Sequence, residues 1–410
     1  MARRNRVFRK RRSFAQLRGS KVWQTIKLLA VLALTVMVVV LFVNYGWPFV
    51  KDIMGWTTEE PPLVQPTPTQ IGDMTGRIRE LTLGAPHRRI SYPVIIGDSI
   101  YFPTGVNSAG NPSHKQIYVN KMGVTGNIQV RGPQGIYDNI FTMDVNANNI
   151  VYFDCRSEAP NGGAIFMVER NPQLFETDPQ TAEGAETIAN NSPPVPIKLK
   201  DIAYGSDLKV QFVGEEYITF VERTGSRQDK LYLMNVNTHE LTVLCVYEDS
   251  PLGLSQPGVG GNAVVWAAPD PNRPTNDRYA VIHSIQVGGD GTISTYNPEM
   301  YVFNPVTNGR VTAWTDSNMG PNATLFMSVE GAAPKRLAEG VANYGMGENF
   351  VAWAEDGKVY VHYWDRNITA QVSTEDEYAF LVSFSPNAIG WFDITNSSYD
   401  RTRYKYALLD

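Results

Sequence analysis

One short pattern recurs seven times along this chain, and no other feature constrains the fold as tightly. Its clearest copy is Gly347 to Trp364, GENFVAWAEDGKVYVHYW. This reads as a strand (Asn349 to Ala354), a tight turn at Asp356-Gly357 and a second strand (Lys358 to Trp364). Asp-Gly between two runs rich in β-branched and aromatic residues signals a hairpin, because glycine supplies the positive φ the turn needs. The first half returns as GDSIYF ending at Phe102, NNIVYF at Phe153, EEYITF at Phe220 and GNAVVW at Trp266. NGRVTAW then ends at Trp314, GENFVAW at Trp353 and SPNAIGWF at Phe392. The mean period is about 48 residues, in the range where repeats build propellers or arrays.

The two ends of the repeat array are complementary. The last copy supplies three strands, Tyr378 to Phe384, Ala388 to Phe392 and Arg403 to Leu409, and lacks a fourth. Ahead of the first copy stands a spare strand, Gly76 to Leu83 (GRIRELTL). It resembles the closing strands HELTVL (His239 to Leu244), KRLAEG (Lys335 to Gly340) and ITAQVS (Ile368 to Ser373). A ring of four-stranded sheets accounts for both ends if the N-terminal strand completes the final blade. The expected fold is therefore all-β, a β-propeller of about seven four-stranded blades, with six possible. The aromatics Phe102, Phe153, Phe220, Trp266, Trp314, Trp353 and Phe392 then fill the wedges between blades. No amphipathic helical segment of useful length is expected after residue 57. Asn171 to Pro196 reads as a long insertion looping out of the second repeat, and Pro269 to Arg278 as a second irregular stretch.

The N-terminus has a different character. Residues 1–27 hold ten Lys or Arg and no acid, and residues 28–50 hold no charge at all. Twenty-three uncharged residues at helical rise reach across a hydrocarbon core of about 30 Å. No small-residue cleavage pattern follows, so the expectation is a single transmembrane helix acting as an uncleaved signal anchor. The basic flank places the N-terminus in the cytoplasm and everything after Val50 outside. Thr57 to Gln70, TTEEPPLVQPTPTQ, is an extended spacer. The expected organisation is thus a basic cytoplasmic tail (1–27), the anchor (28–50), a Pro-rich linker (51–75) and an extracytoplasmic propeller domain (76–410).

Beyond the tail, 26 Lys and Arg face 41 Asp and Glu, a net charge of −15. Such a surface repels phosphate backbones, so nucleic acid is not an expected partner. Cys155 and Cys245 lie in separate repeats, too few for a disulfide framework, and two buried thiols are favoured over a bond. The five histidines are scattered without ligand spacing, so neither metal nor cofactor is expected.

Two stretches resemble the TolB-like β-propeller family. Leu381 to Trp391, LVSFSPNAIGW, is similar to its Phe-Ser-Pro-Asp/Asn pattern followed by a short apolar strand. Lys230 to Leu244, KLYLMNVNTHELTVL, is similar to its Tyr-x-Met-Asp half, turn and closing strand. The resemblance covers about residues 76 to 410. It implies a propeller, often outside the cytoplasm, that holds other proteins or, in some relatives, small ligands. It implies no catalytic residues. Members typically have six blades, whereas seven anchors are present here.

No sequence motif assigns a chemistry. GLSQPG (Gly253 to Gly258) is not a nucleophile elbow, and GMGENF (Gly345 to Phe350) precedes a strand rather than a helix. One pattern remains: acids follow the anchors at Asp154, Glu222, Asp270, Asp316, Glu355 and Asp393. These acids either form a ring near one mouth of the channel, able to bind a cation or basic peptide or to act as an acid/base pair, or simply end their strands facing solvent. The second is favoured. The functional expectation is a membrane-anchored module that binds or scaffolds another envelope protein or a wall component in a bacterial cell envelope. The alternative is a hydrolase or lyase acting on envelope polysaccharide through channel carboxylates.

Overall fold

The computed structural model describes residues 77–81, 90, 93–106, 112–124, 127–131, 139–155, 162–171, 173, 177–191, 194–203, 208–223, 228–248, 255–273, 279–318, 320, 322–395 and 403–409, together with 28, 29 and 35. The expected anchor lies outside these residues except for Leu28, Leu29 and Thr35, which are helical. Among the described residues no helix is long and apolar enough to cross a membrane.

Seven four-stranded antiparallel sheets follow one another along the chain, all within the compact unit Pro61–Asp410. The innermost strands are β2 (Val94–Ile96), β6 (Ile140–Val145), β10 (Gln211–Val213), β14 (Gly258–Gly260), β18 (Phe303–Thr307), β22 (Val341–Met346) and β26 (Ala379–Ser385). Each touches the next, and β26 touches β2, so the sheets close a circuit as the blades of a propeller. Second strands run antiparallel to these: β3 (Ser99–Val106), β7 (Asn149–Cys155), β11 (Tyr217–Arg223), β15 (Ala263–Pro269), β19 (Val311–Thr315), β23 (Phe350–Glu355) and β27 (Ala388–Asp393). Third strands are β4 (Pro112–Lys121), β8 (Gly163–Glu169), β12 (Gln228–Asn235), β16 (Ala280–Gln286), β20 (Thr324–Val329), β24 (Lys358–Tyr363) and β28 (Arg403–Leu408). The outermost are β5 (Ile128–Arg131), β9 (Ile197–Ile202), β13 (Leu241–Glu248), β17 (Ile293–Tyr296), β21 (Lys335–Glu339) and β25 (Ile368–Gln371). In the last blade that place is taken by β1 (Ile78–Glu80), which pairs with β28 through Ile78↔Ala407, Arg79↔Tyr406 and Glu80↔Lys405. The spare N-terminal strand thus completes the blade that lacked one.

The hairpin read from Asp356-Gly357 forms as expected. Both residues have positive φ, 49° and 74°, and Glu355 pairs with Lys358 across a two-residue turn. That backbone matches the right-handed strand twist. Close approach of neighbouring blades has its own sequence requirement. A Cβ at Gly258 or Gly260 would collide with the backbone of Pro305 or Thr307 on the next inner strand. Two glycines in a three-residue strand let blades four and five meet at the axis.

Six apolar clusters fill the wedges. Phe102, Phe220, Trp314 and Trp353 are buried and face the preceding blade; Trp266 is buried in a cluster shared by blades three to five. Phe153 and Phe392 instead turn toward the following blade, and Phe392 is only half-buried. Their neighbours Tyr152 and Trp391, both fully buried, fill the wedge toward the preceding blade. In those two repeats the sequence alignment is therefore shifted by one residue, which in a strand exchanges the two faces. Anchors stack on aromatic or imidazole rings of the third strand, as in Trp353–Tyr360 (5.8 Å) and Trp266–His283 (5.5 Å). Each such ring pair adds roughly 0.5–1.5 kcal/mol beyond its burial.

One helix corrects the all-strand expectation. α1 (Ala182–Asn190) lies inside the Asn171–Pro196 insertion. Thr181 caps it, its Oγ1 accepting from the Gly184 amide at 3.0 Å, and Ile188 packs onto the core shared by blades one and two. The Thr cap followed by Glu183 in the first turn was the available signal. Nine residues with a single core contact leave little periodicity to detect.

Candidate functional site

The six acids that follow the anchors all sit where a second strand ends and its inner partner begins. Register places Asp154 opposite Ile140, Glu355 opposite Val341 and Asp393 opposite Ala379. They do not face solvent as simple strand ends. Asp154, Glu222, Asp270 and Asp393 are buried, and Asp316 and Glu355 are half-buried. Five are engaged by partners within their own blades, and Glu222 pairs across to the preceding blade. Asp154 accepts from the Asn139 amide (2.8 Å), and Asp316 from that of Thr324 (2.8 Å). Asp270 accepts from the Asn272 amide (2.9 Å) and from Asn297 Nδ2 (3.2 Å), and Glu355 from Trp353 Nε1 (3.1 Å). Glu222 pairs with Lys200 at 2.9 Å. Burial raises the Glu355 pKa against the hydrogen bond from Trp353, whereas the amide of Asn272 holds Asp270 low. Among the described residues no three His, Cys, Asp or Glu side chains gather as a metal site.

Asp393 belongs to the densest polar cluster, on the blade that closes the ring. Lys405 Nζ bridges Glu377 Oε1 (2.6 Å) and Asp393 Oδ2 (3.1 Å), and Arg403 donates to Asp393 Oδ2 (2.7 Å). Trp391 Nε1 donates to Glu377 Oε2 (3.0 Å), and Thr374 and Thr395 donate to Glu377 and Asp393 respectively. Glu377 and Asp393 are buried, so removing Lys405 takes from Glu377 its cation and leaves Asp393 with Arg403 alone. Arg403 also reaches Glu80 on β1 at 3.5 Å, tying the cluster to the seam. Sequence reading found Asp393 but missed Glu377 and Lys405, which lie in a loop and a different strand.

Side chains on the innermost strands mostly join one blade to the next. Asp144 accepts from the amides of Val145 (2.9 Å) and, in the next blade, Phe212 (2.7 Å). Burial nevertheless pushes its pKa up to about 6, against those amides and Lys209. Lys209 is exposed at its surface, and desolvation holds its pKa down against the attraction of Asp144. Asn146 Nδ2 donates to the carbonyls of Gly214 and Glu215 (3.2 and 3.1 Å), Asn308 Nδ2 to those of Gly347 and Glu348 (3.3 and 2.8 Å). Ser383 Oγ donates to the Pro93 carbonyl (2.5 Å), joining the last blade to the first.

Cys155 and Cys245 are free thiols, half-buried rather than fully buried, with pKa values raised by burial. The exposed large apolar side chains lie elsewhere. Several sit on outer strands: Ile197 (56 % exposed) on β9, and Leu241 (42 %), Val243 (48 %) and Val246 (44 %) on β13, with Ile293 on β17. Of these strands the sequence pattern marked β13 as a closing strand and Thr292 to Tyr296 as a strand, and β9 carried no such mark.

No family model matches the chain, and no curated protein matches it by sequence. Solved structures match its shape. The β-propeller domain of the Trilobed protease from Pyrococcus furiosus superposes with a TM-score of 0.51 at 11 % identity, covering 77 % of this chain and 93 % of that one. That propeller is described as having an open velcro topology; here β1 pairs with β28. An acylaminoacyl peptidase from Pyrococcus horikoshii (TM-score 0.48, 10 % identity) is covered over 48 % of its length by 74 % of this chain. An oligogalacturonate lyase in complex with manganese (TM-score 0.48, 12 % identity) is covered over 90 % by 79 % of this chain. At such identities the likeness is one of fold, and the fold is an all-β propeller of seven blades.

Proposed function

We propose that this chain is a membrane-anchored, extracytoplasmic propeller of the TolB-like kind that holds another envelope protein or a wall component. The observation that carries the reading is the distribution of surface chemistry. The repeated carboxylates are engaged by partners in their own blades or, for Glu222, by Lys200 of the neighbouring blade, whereas Leu241, Val243, Val246 and Ile197 stand exposed on neighbouring outer edges. Exposed apolar side chains grouped in this way fit a protein-binding surface. An enzyme on polysaccharide would need acidic groups converging on one cleft. The basic tail and uncharged run of residues 1–50 support anchoring with the propeller outside.

The test is a crosslinking pull-down from membranes with the intact chain and a control lacking residues 76–410. Recovery of one envelope protein dependent on the propeller is expected. Recovery of glycan alone would move the reading to the polysaccharide enzyme.

A further inference from the structure

Seven outer strands end the seven sheets, and among the described residues each leaves one row of backbone amides and carbonyls without a neighbouring strand. Such edges invite pairing with another chain, and proteins guard them with short length, charge or proline. Six of the seven are guarded in this way. β1 has three residues and carries Arg79 and Glu80; β5, β17 and β25 have four each. β9 carries Lys198, Lys200 and Asp201, and β21 carries Lys335, Arg336 and Glu339. The exception is β13, LTVLCVYE, with eight residues, no proline and no charge before its final position.

Its exposed side chains also share a face. Leu241 pairs with Met234, Val243 with Tyr232 and Val246 with Lys230, and these partners alternate along β12 on one side. Met234 lies in the core between blades two and three, so that side faces blade two. The register shift between Leu231 and Tyr232 is what keeps Val246 in line with Val243. On blade two, Ile197 pairs with Met167, which packs on the same core. The wedge between blades two and three therefore opens outward beside a strand edge, lined by these apolar side chains and by Lys200, whose ammonium lies 5.9 Å from the Tyr232 ring and pairs with Glu222.

We propose that β13 is a strand-addition site for an extended segment of another protein, one with alternating apolar residues flanked by basic residues. This rests on the binding reading given above and names its partner class. Main-chain pairing with the edge would supply affinity, and the wedge would take alternate side chains. Charge selects the occupant. Glu240 precedes the strand and Glu248 ends it, and the chain beyond its basic tail carries a net −15. A second copy paired antiparallel about a two-fold axis would set the Glu240 end of one strand against the Glu248 end of the other. Like charges so aligned are destabilising across a strand pair. A segment with Lys or Arg at both ends meets complementary charge instead.

The probe is a fluorescein-labelled peptide, Lys-Val-Thr-Val-Thr-Val-Thr-Lys, titrated against the full-length protein in nanodiscs and followed by anisotropy. Saturable binding is expected, weakened at least tenfold by Val243→Lys and unchanged by Ser294→Lys on β17. A peptide with proline at its fourth position should not bind. Val243 is half exposed, so Val243→Lys should keep the wild-type melting temperature, and circular dichroism checks this. Equal binding to Val243→Lys, equal binding of the proline peptide, or no binding would overturn the proposal. So would a dimer seen in sedimentation and abolished by Val243→Lys, which would assign the edge to a second copy. Failure here with a propeller-dependent protein still captured from membranes would leave the binding function standing and remove only this site.

Discussion

His362 is the residue whose chemistry and burial conflict most openly. It is 1 % exposed on β24, its Nδ1 lies 2.9 Å from Thr369 Oγ1, and its Nε2 has no partner. Burial first, and Lys335 second, bring its pKa down to about 4. The unfolded chain, with a pKa near 6.5, takes up a proton that the folded ring refuses. Stability is therefore complete above about pH 6.5 and is lost as pH falls toward 4, at up to about 1.4 kcal/mol per pH unit. Asp144 acts in the opposite sense, because its raised pKa favours the folded state at low pH. The two are separated by comparing melting temperatures of wild type and His362→Gln between pH 7 and pH 4.5. The variant should lose less stability on acidification; an identical slope would show that His362 does not titrate as described. The same scale holds the clearest limit on what sequence disclosed. SPNAIGWF ends in two adjacent rings, and pattern alone assigned the wedge to Phe392. Only the fold shows that Trp391 fills it. Trp391→Ala should cost about 3–5 kcal/mol in urea unfolding, clearly more than Phe392→Ala. Equal costs would restore the alignment as first read.

Among the elements, β1 was legible for a topological reason: three strands at one end and one at the other have a single economical solution. Its boundaries were less legible, since Gly76 to Leu83 contracts to three paired residues. A three-residue strand contributes little by itself, and the seam depends on Arg403, which reaches Glu80 and Asp393. Replacing Ile78, Arg79 and Glu80 by Gly-Pro-Gly should raise hydrogen exchange at the β28 amides paired with β1 while leaving blades three to five protected. Exchange rising evenly in all blades would mean that the ring opens as one unit. The helix α1 escaped detection because a nine-residue element resting on one apolar side chain has almost no periodic signal. The six acids that follow the anchors stand at the ends of second strands. Their surroundings were not readable, because burial and distant partners such as Lys200 for Glu222 and Asn139 for Asp154 are set by strand pairing and not by sequence spacing.

For the whole molecule, the repeat period and the matching ends carried the architecture, and seven blades answer the choice between six and seven. The proposed partner surface was not visible in the same way. The closing strands His239 to Leu244, Lys335 to Gly340 and Ile368 to Ser373 read alike in sequence, and β13 differs from the other edges in its eight-residue length and lack of charge before Glu248. Partner contact is proposed on this rim rather than along the axis. The measurement that tests it most directly is site-specific photocrosslinking in cells. A photoreactive residue is placed at Val243 on the rim or at Ala342, exposed on the innermost strand β22, in the full-length chain. An ultraviolet-dependent adduct to one protein from Val243, with none from Ala342, is the expected result. Adducts from Ala342 alone would place recognition in the channel and contradict the account.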